Sequence, residues 1–520
     1  VATDTSVVIG QSSEVANLNP LIQPRTPDSN VQNMIFSYLV VPNEELNYEG
    51  DLADSWDISD DGTVYTFHLK EGVKWHDGED FTADDVVFTL TSLADPNYNG
   101  GADGRVMSIA GAADYQAGNA DSVSGIKKVD DYTVEITLES ANAAFLSNMY
   151  TCILPKHILE GEDPGEWGND DFNRAPIGTG KYKFVEWKSG QYITLERNDD
   201  YYGTKPSIQN VTVQFGDDTT LTAALLNGEI DVLYNLPSAE VENVEAMDGV
   251  SDYKYEQLTV TYIGLNQLTE SLSDLRVRQA LAYGIDKQAI INTVYGDGNA
   301  YVCDDVFPSN HWSHSDNVTV YDYDPAKSKE LLEEAGYTMN DATGYYEKDG
   351  KTLHLTYDMS TSTDGKAVAA LIQQQWKAIG VEMEVIEQDF ATLAYTKLLP
   401  GEATEETTGD SFQCYTLGFG VEADPNEYNE YFSTSTGAGS WNFIHYSNPV
   451  DQLFKDQLLL TDPDERAECF HKIADLISKD LPWIPLYNKA GIAGVSDKVQ
   501  NFVCDYRGIT FQIEKWNIAE

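Results

Sequence analysis

Basic residues are scarce in this chain of 520: 32 Lys and Arg stand against 86 Asp and Glu, a formal net charge of −54. Only 8 of the 32 are arginine. So acidic a surface is repelled by phosphate backbones and anionic headgroups, which argues against nucleic acid as a partner. The acidity is spread along the whole chain, the pattern of a solvated surface and not of a charged tail. Cysteine is nearly absent. Cys152, Cys303, Cys414, Cys469 and Cys504 show no CxxC or zinc-finger spacing, and an odd count leaves at least one thiol unpaired within the chain. No run approaches the ~18 apolar residues of a membrane span. The most apolar stretch, 143–154, is broken by Ser147, Asn148 and Thr151. The first ten residues lack a basic and apolar signal region, which is expected of a cytosolic chain or of one whose targeting segment has been removed.

Built catalytic motifs are missing as well. No GxGxxG, GxxxxGK[ST] or GxSxG stands where its mechanism needs it. The glycines of IGTGKY precede an extended stretch and lack the helix N-terminus of a phosphate site. Asp57–Gly62 has the first ligands of a calcium loop, but its twelfth position is His68 and not the closing glutamate. His311 and His314 offer two imidazoles without an accompanying carboxylate motif. Two carboxylates could serve a glycosidase, yet 86 acids make such a pair available by arithmetic alone. No cofactor is expected, and a binding protein fits better than an enzyme.

What is present is enough apolar material for sizeable cores, with 41% hydrophobic residues and 39 glycines. Strand and helix signals interleave, which predicts an α/β (mixed α+β) fold. SWDISDDGTVYTFHL predicts a hairpin turning at Asp60-Asp61-Gly62. Thr82 and Asp85 form a capping box opening a helix, with Phe81 and Val86 as its staple. Asp324, Pro325 and Gly336 mark the cap, first turn and end of another. Leu353, Leu355 and Tyr357, then a helix ending at Gly380, then alternating Val381, Met383 and Val385 predict a βαβ unit. Trp376 belongs to its core.

Several phrases in order then carry a resemblance. LADSWDISDDGTVYTFHLKEGVKWHDGEDFTADDV (52–86), PIGTGKYKFVEWKSGQYITLERNDDYYGTKP (176–206), NGEIDV (227–232), YIGLNQ (262–267) and DLRVRQALAYGIDKQAI (274–290) come first. YDPAKSKELLEEAGY (323–337), WNFIHYSNPVDQLF (441–454) and LPWIPLYNKA (481–490) complete the series. The chain thereby resembles the family 5 extracellular solute-binding proteins, the peptide and nickel type receptors of ATP-driven (ABC) importers. The resemblance implies a periplasmic-binding-protein-like, two-lobed clamshell with an inserted extra domain. The first lobe would comprise 1–42, 176–262 and 485–520, the insertion 43–175, and the second lobe 263–484, with hinges near 262 and 485.

It also implies a function: hinge closure on an oligopeptide and delivery to a membrane permease, by a monomer outside the cytoplasm. The chain is expected to be a lipoprotein on a Gram-positive surface or a periplasmic protein. A nickel chelate or an oligosaccharide is the alternative ligand, metal binding requiring His311, His314 or His445 in the cleft although no motif selects them, and a secreted hydrolase is the remote alternative. The segments matching the family's ligand edges are PRTPDSN (24–30), with Arg25 and Thr26, and LGFGVEADP (417–425), with Phe419 and Gly420. An ammonium-binding acid in the second segment would be Glu422 or Asp424. The arginine of dipeptide binders should fall at 360–366, where only Lys366 is basic. Arg25 or Arg105 is then the candidate partner for a ligand carboxylate, and Tyr262, Phe419, Trp441 and Tyr487 are the candidate ligand-contacting aromatics.

Overall fold

The computed structural model describes residues 5–23, 25–399, 412–434, 441–447 and 449–519. The chain forms two units, Val1–Tyr255 with Gly491–Glu520, and Glu256–Ala490.

In the first unit a seven-stranded sheet is centred on Ser6–Gln11, which runs parallel to Asn210–Phe215 on one side and Val232–Leu233 on the other. The returning strand Gly491–Ser496 inserts between Val232–Leu233 and Val250–Tyr255, antiparallel to both. Within 43–175 lies a separate four-stranded antiparallel sheet, built on the hairpin of Ala53–Ile58 and Val64–Leu69. Its turn is closed by Asp61, whose carboxylate accepts from the Ser59 and Thr63 hydroxyls and the Thr63 amide. Alternation puts Tyr65, Phe67, Val134 and Ile136 inward, against Val86, Leu90 and Leu93 of the helix Ala83–Leu93. That helix starts at Thr82 with the capping box to Asp85. The same core continues to Val7, Ile9, Val211 and Val213, so residues 43–175 share one apolar cluster with the rest of their unit.

A histidine fastens this part of the chain. The Gly178 amide donates to His76 Nδ1 (3.2 Å), and His76 Nε2 donates to the Gly180 carbonyl (3.0 Å), which fixes a neutral tautomer. A Cβ at either glycine would run into the backbone of Ile35. Burial pushes the His76 pKa down to about 4. The unfolded chain therefore binds the proton at a higher pH than the native one, and this contribution to stability is lost as pH falls from about 6.5 to about 4. His76→Gln can keep both hydrogen bonds but does not titrate. Urea unfolding of wild type should lose about 3 kcal/mol more than the variant between pH 7 and pH 4, and parallel losses would contradict this.

The second unit is built on a six-stranded sheet in the order Ala300–Val302, Trp483–Lys489, Thr259–Leu265, Cys414–Gly420, His354–Ser360, Glu382–Gln388. The last two strands are parallel and joined by the helix Thr363–Ala378, the βαβ unit read from the sequence, with Trp376 fully buried. The expected crossings at 262 and 485 are corrected here. Tyr262 and Pro485 face each other within one paired ladder, and the chain changes unit near 255 and 490 instead. Two strands bonded along their length belong to one body, so residues 256–262 and 485–490 go with the second unit.

All five cysteines are buried and free. Burial pushes the thiols of Cys152 and Cys303 up to about 12, which keeps them protonated and inert. No helix among the described residues is long and apolar enough to cross a membrane.

Candidate ligand-binding site

The strand Cys414–Gly420 pairs with Thr259–Leu265 and ends at Gly420, beside whose Cβ position no heavy atom lies within 4 Å. The chain then turns through a loop held from behind. The Val421 amide donates to the Leu258 carbonyl (2.7 Å). His311 Nε2 donates to the Glu422 carbonyl (3.0 Å), and the Trp312 indole donates to the Ala423 carbonyl (2.8 Å).

Of the two acids proposed for an ammonium group, Asp424 is already engaged. Its buried carboxylate takes a two-pronged pair from Arg466, Nη1 to Oδ2 at 2.5 Å and Nη2 to Oδ1 at 3.0 Å. Oδ1 also accepts from the Asn426 amide, capping the turn Pro425–Glu427. Both oxygens thus help to hold the loop. Glu422 is exposed, and its amide donates to Glu427 Oε1 (3.1 Å). Glu427 was missed in the sequence. Burial, and then the charge of Glu422, push its carboxyl up to about 8. No cation pairs with it among the described residues. Burial also raises Glu430. One exposed and one desolvated carboxyl thus stand together, the arrangement that favours an incoming cation.

Aromatic rings adjoin these acids. Tyr431 meets Phe419 edge-on (ring centroids 4.6 Å apart), and Trp441 lies 5.9 Å from Tyr431. Phe419 is buried and Trp441 half-buried. Tyr262 and Tyr487 are core residues. Tyr262 stacks on Trp483 at 3.5 Å, and the Tyr487 hydroxyl is bonded to that of Tyr295 (3.0 Å). Neither presents a free face, because strand alternation points both into the unit.

The basic candidates are likewise occupied. Arg25 precedes the helix Thr26–Ile35 and pairs with the buried Asp28 (3.2 Å), while Thr26 is exposed. Arg105 donates to the Tyr150 carbonyl and to Thr151 Oγ1. Lys366 pairs with Glu387 (3.0 Å). His311 is buried and neutral, its pKa pushed down to about 4 by burial, with Nδ1 taken by Ser313. His314 pairs with Asp305 (3.1 Å), and burial lowers the pKa of His445. Among the described residues no group of three or more His, Cys, Asp or Glu could hold a metal ion.

The missed residues had a faint signal. Glu427 stands three residues past Asp424 in DPNEYNEYF, and Arg466 is one of only eight arginines. Nothing local to either reveals the partner, which comes from 42 residues away for the Asp424 pair.

The chain as a whole is similar to known proteins. A model of bacterial extracellular solute-binding proteins, family 5, matches residues 47–440. The chain is 30% identical to the oligopeptide-binding protein AppA of Bacillus subtilis, over 99% of its own length and 92% of the relative's. AppA solved in complex with a nonapeptide superposes with a TM-score of 0.81 at 29% identity, each chain covered to 99%. NikZ of Campylobacter jejuni, solved in complex with Ni(L-His), superposes with a TM-score of 0.83 at 28% identity, again with 99% of each chain covered.

Proposed function

The chain belongs to the bacterial extracellular solute-binding proteins of family 5, and from that premise we infer that it is the receptor of an ABC importer whose ligand is an oligopeptide. The observation that carries the peptide reading is Glu427, a desolvated carboxyl beside the exposed Glu422 at the open end of a strand. A peptide's ammonium group supplies the cation this pair lacks, and its backbone can run on past Gly420 with main-chain hydrogen bonds that do not depend on sequence. The Phe419, Tyr431 and Trp441 rings offer apolar contact to the first side chains. An arginine for a dipeptide's carboxylate is missing at 360–366, which favours a longer ligand such as the nonapeptide held by AppA. The nickel-chelate reading is less supported, since His311 and His314 are engaged within the protein.

In this reading the two units are lobes that close on the ligand by hinge motion, with 43–175 as an insertion in the first. The receptor acts as a monomer outside the cytoplasm, on a lipid anchor or in the periplasm, and hands its cargo to a membrane permease. No catalysis and no cofactor are asked of it. A thermal-shift screen tests the assignment. Pools of oligopeptides of graded length should raise the melting temperature, whereas oligosaccharides and nickel–histidine should not. Stabilisation by either of the latter, with no peptide response, would overturn it.

A further inference from the structure

We propose that Asp358 is a specificity-determining residue of the peptide site: its free carboxylate oxygen accepts a hydrogen bond from a neutral donor side chain (serine, threonine, asparagine or glutamine) a few positions along the bound peptide. The inference rests on the peptide reading and adds to it a preference inside the ligand.

The strand Cys414–Gly420 is bonded to Thr259–Leu265 along its whole length. On its other side it meets His354–Ser360 at two rungs among the described residues, Tyr357 with Cys414 and Asp358 with Tyr415. From Thr416 to Gly420 that second edge has no strand against it among the described residues. A peptide whose amino end meets Glu427, beyond Gly420, and which adds to this edge runs antiparallel to the strand, from Gly420 towards Asp358. The two glycines on the way leave room for it. Among the described residues no heavy atom comes within 4 Å of a Cβ at Gly420, and at Gly418 nothing comes nearer than Thr261 Oγ1 at 4.0 Å.

Asp358 stands at the inner end of this edge. As the rung partner of Tyr415 it shares a sheet face with Tyr415, Leu417 and Phe419, the face on which Tyr431 meets Phe419. Its side chain is fully buried. Oδ1 takes both Lys397, from the π-helical segment Thr392–Leu398, and Gln388 Nε2 (2.9 Å). Oδ2 has no hydrogen-bond partner. Two donors thus converge on one oxygen while the other, shielded from water, has none. Such an acceptor bears its full desolvation cost until a donor reaches it.

Charge decides what fills the place. Lys397 balances Asp358, so the pair is neutral as it stands. A lysine or arginine of the ligand would bring a buried cation with no counter-charge left for it, and an aspartate or glutamate would set an anion against the free oxygen. An aliphatic side chain meets no repulsion but leaves Oδ2 unpaired. A hydroxyl or a primary amide supplies the missing hydrogen and adds no charge.

The probe is an alanine-based oligopeptide with threonine at each position in turn, and valine in a parallel set, the two differing in shape by little more than the hydroxyl. Binding to the full chain is read by calorimetric titration. At one interior position threonine should bind tighter than valine by about tenfold or more, and aspartate or lysine placed there should bind more weakly than valine. Asp358→Leu with Lys397→Met removes both charges together, so no buried charge is stranded, and valine should then bind at least as well as threonine. The wild-type scan decides the matter even where the double variant does not fold. Equal affinities of the threonine and valine peptides at every position would give the free oxygen to a buried water and overturn the proposal, as would a threonine preference that survives in the double variant. Failure of every peptide to bind would overturn the peptide reading and this proposal with it.

Discussion

Arg466→Leu is expected to lower stability by about 3–5 kcal/mol, because it strands the Asp424 carboxylate without a partner in a buried setting. The arginine does more than pair. Its Nε donates to Gln457 Oε1 (2.9 Å), and the guanidinium faces the rings of Trp312 and Phe470 at 5.5 and 5.6 Å. In scanning calorimetry the transition of the second unit should fall by roughly 10 °C, at about 2–4 °C per kcal/mol for a body of this size. Replacing both partners, Arg466→Leu with Asp424→Leu, should recover much of the loss, since the penalty lies in the orphaned charge and not in the absence of the pair. A single variant that melts within 2 °C of wild type (~0.5–1 kcal/mol on that scale) would show that Asp424 finds other compensation.

Glu427→Gln should act oppositely on stability and on binding. Its carboxyl, pushed up to about 8 by burial and by Glu422, stays protonated in the native state at a pH where the unfolded chain has already ionised. Native stability is therefore drained as pH rises from about 4.5 through about 8. Glutamine removes that drain, so the empty variant should be more stable than wild type at pH 8 and nearly equal to it at pH 4.5. Peptide affinity should fall by about 2–5 kcal/mol at pH 8, roughly thirtyfold or more, because a desolvated ammonium group loses its charge partner. Glu422→Gln alters an exposed carboxylate and should cost at most about 1 kcal/mol. Fluorescence titration of the two variants with one peptide checks both magnitudes. Equal affinities for wild type and Glu427→Gln would move the ammonium site away from this loop.

Local chemistry explains which parts of the structure could be read in advance. The hairpin at Ala53–Leu69, the helix capped by Thr82 and the βαβ unit around Trp376 are each specified by residues adjacent in sequence, and each forms as expected. The unit boundary was misplaced by several residues because it depends on a ladder between Thr259–Leu265 and Trp483–Lys489, strands more than 200 residues apart. The candidate site was legible as a segment but not as a constellation. The acidic loop 417–425 could be named from its resemblance, whereas the engagement of Asp424 depends on Arg466, and the desolvation of Glu427 depends on the fold around it. Tyr262 and Tyr487 show the complementary limit. An aromatic ring in a strand reads the same whether it faces a ligand or a core, and here both face the core.

Calorimetric titration of one free peptide and its N-acetylated form, at pH 7 in two buffers of different ionisation heat, tests the central claim that Glu427 receives a peptide's amino end. Binding of the free peptide should release most of one proton, as the Glu427 carboxyl ionises against the ammonium group, and the acetylated peptide should bind far more weakly with no such release. Equal affinities for the two peptides, with no proton exchanged in either case, would contradict the account.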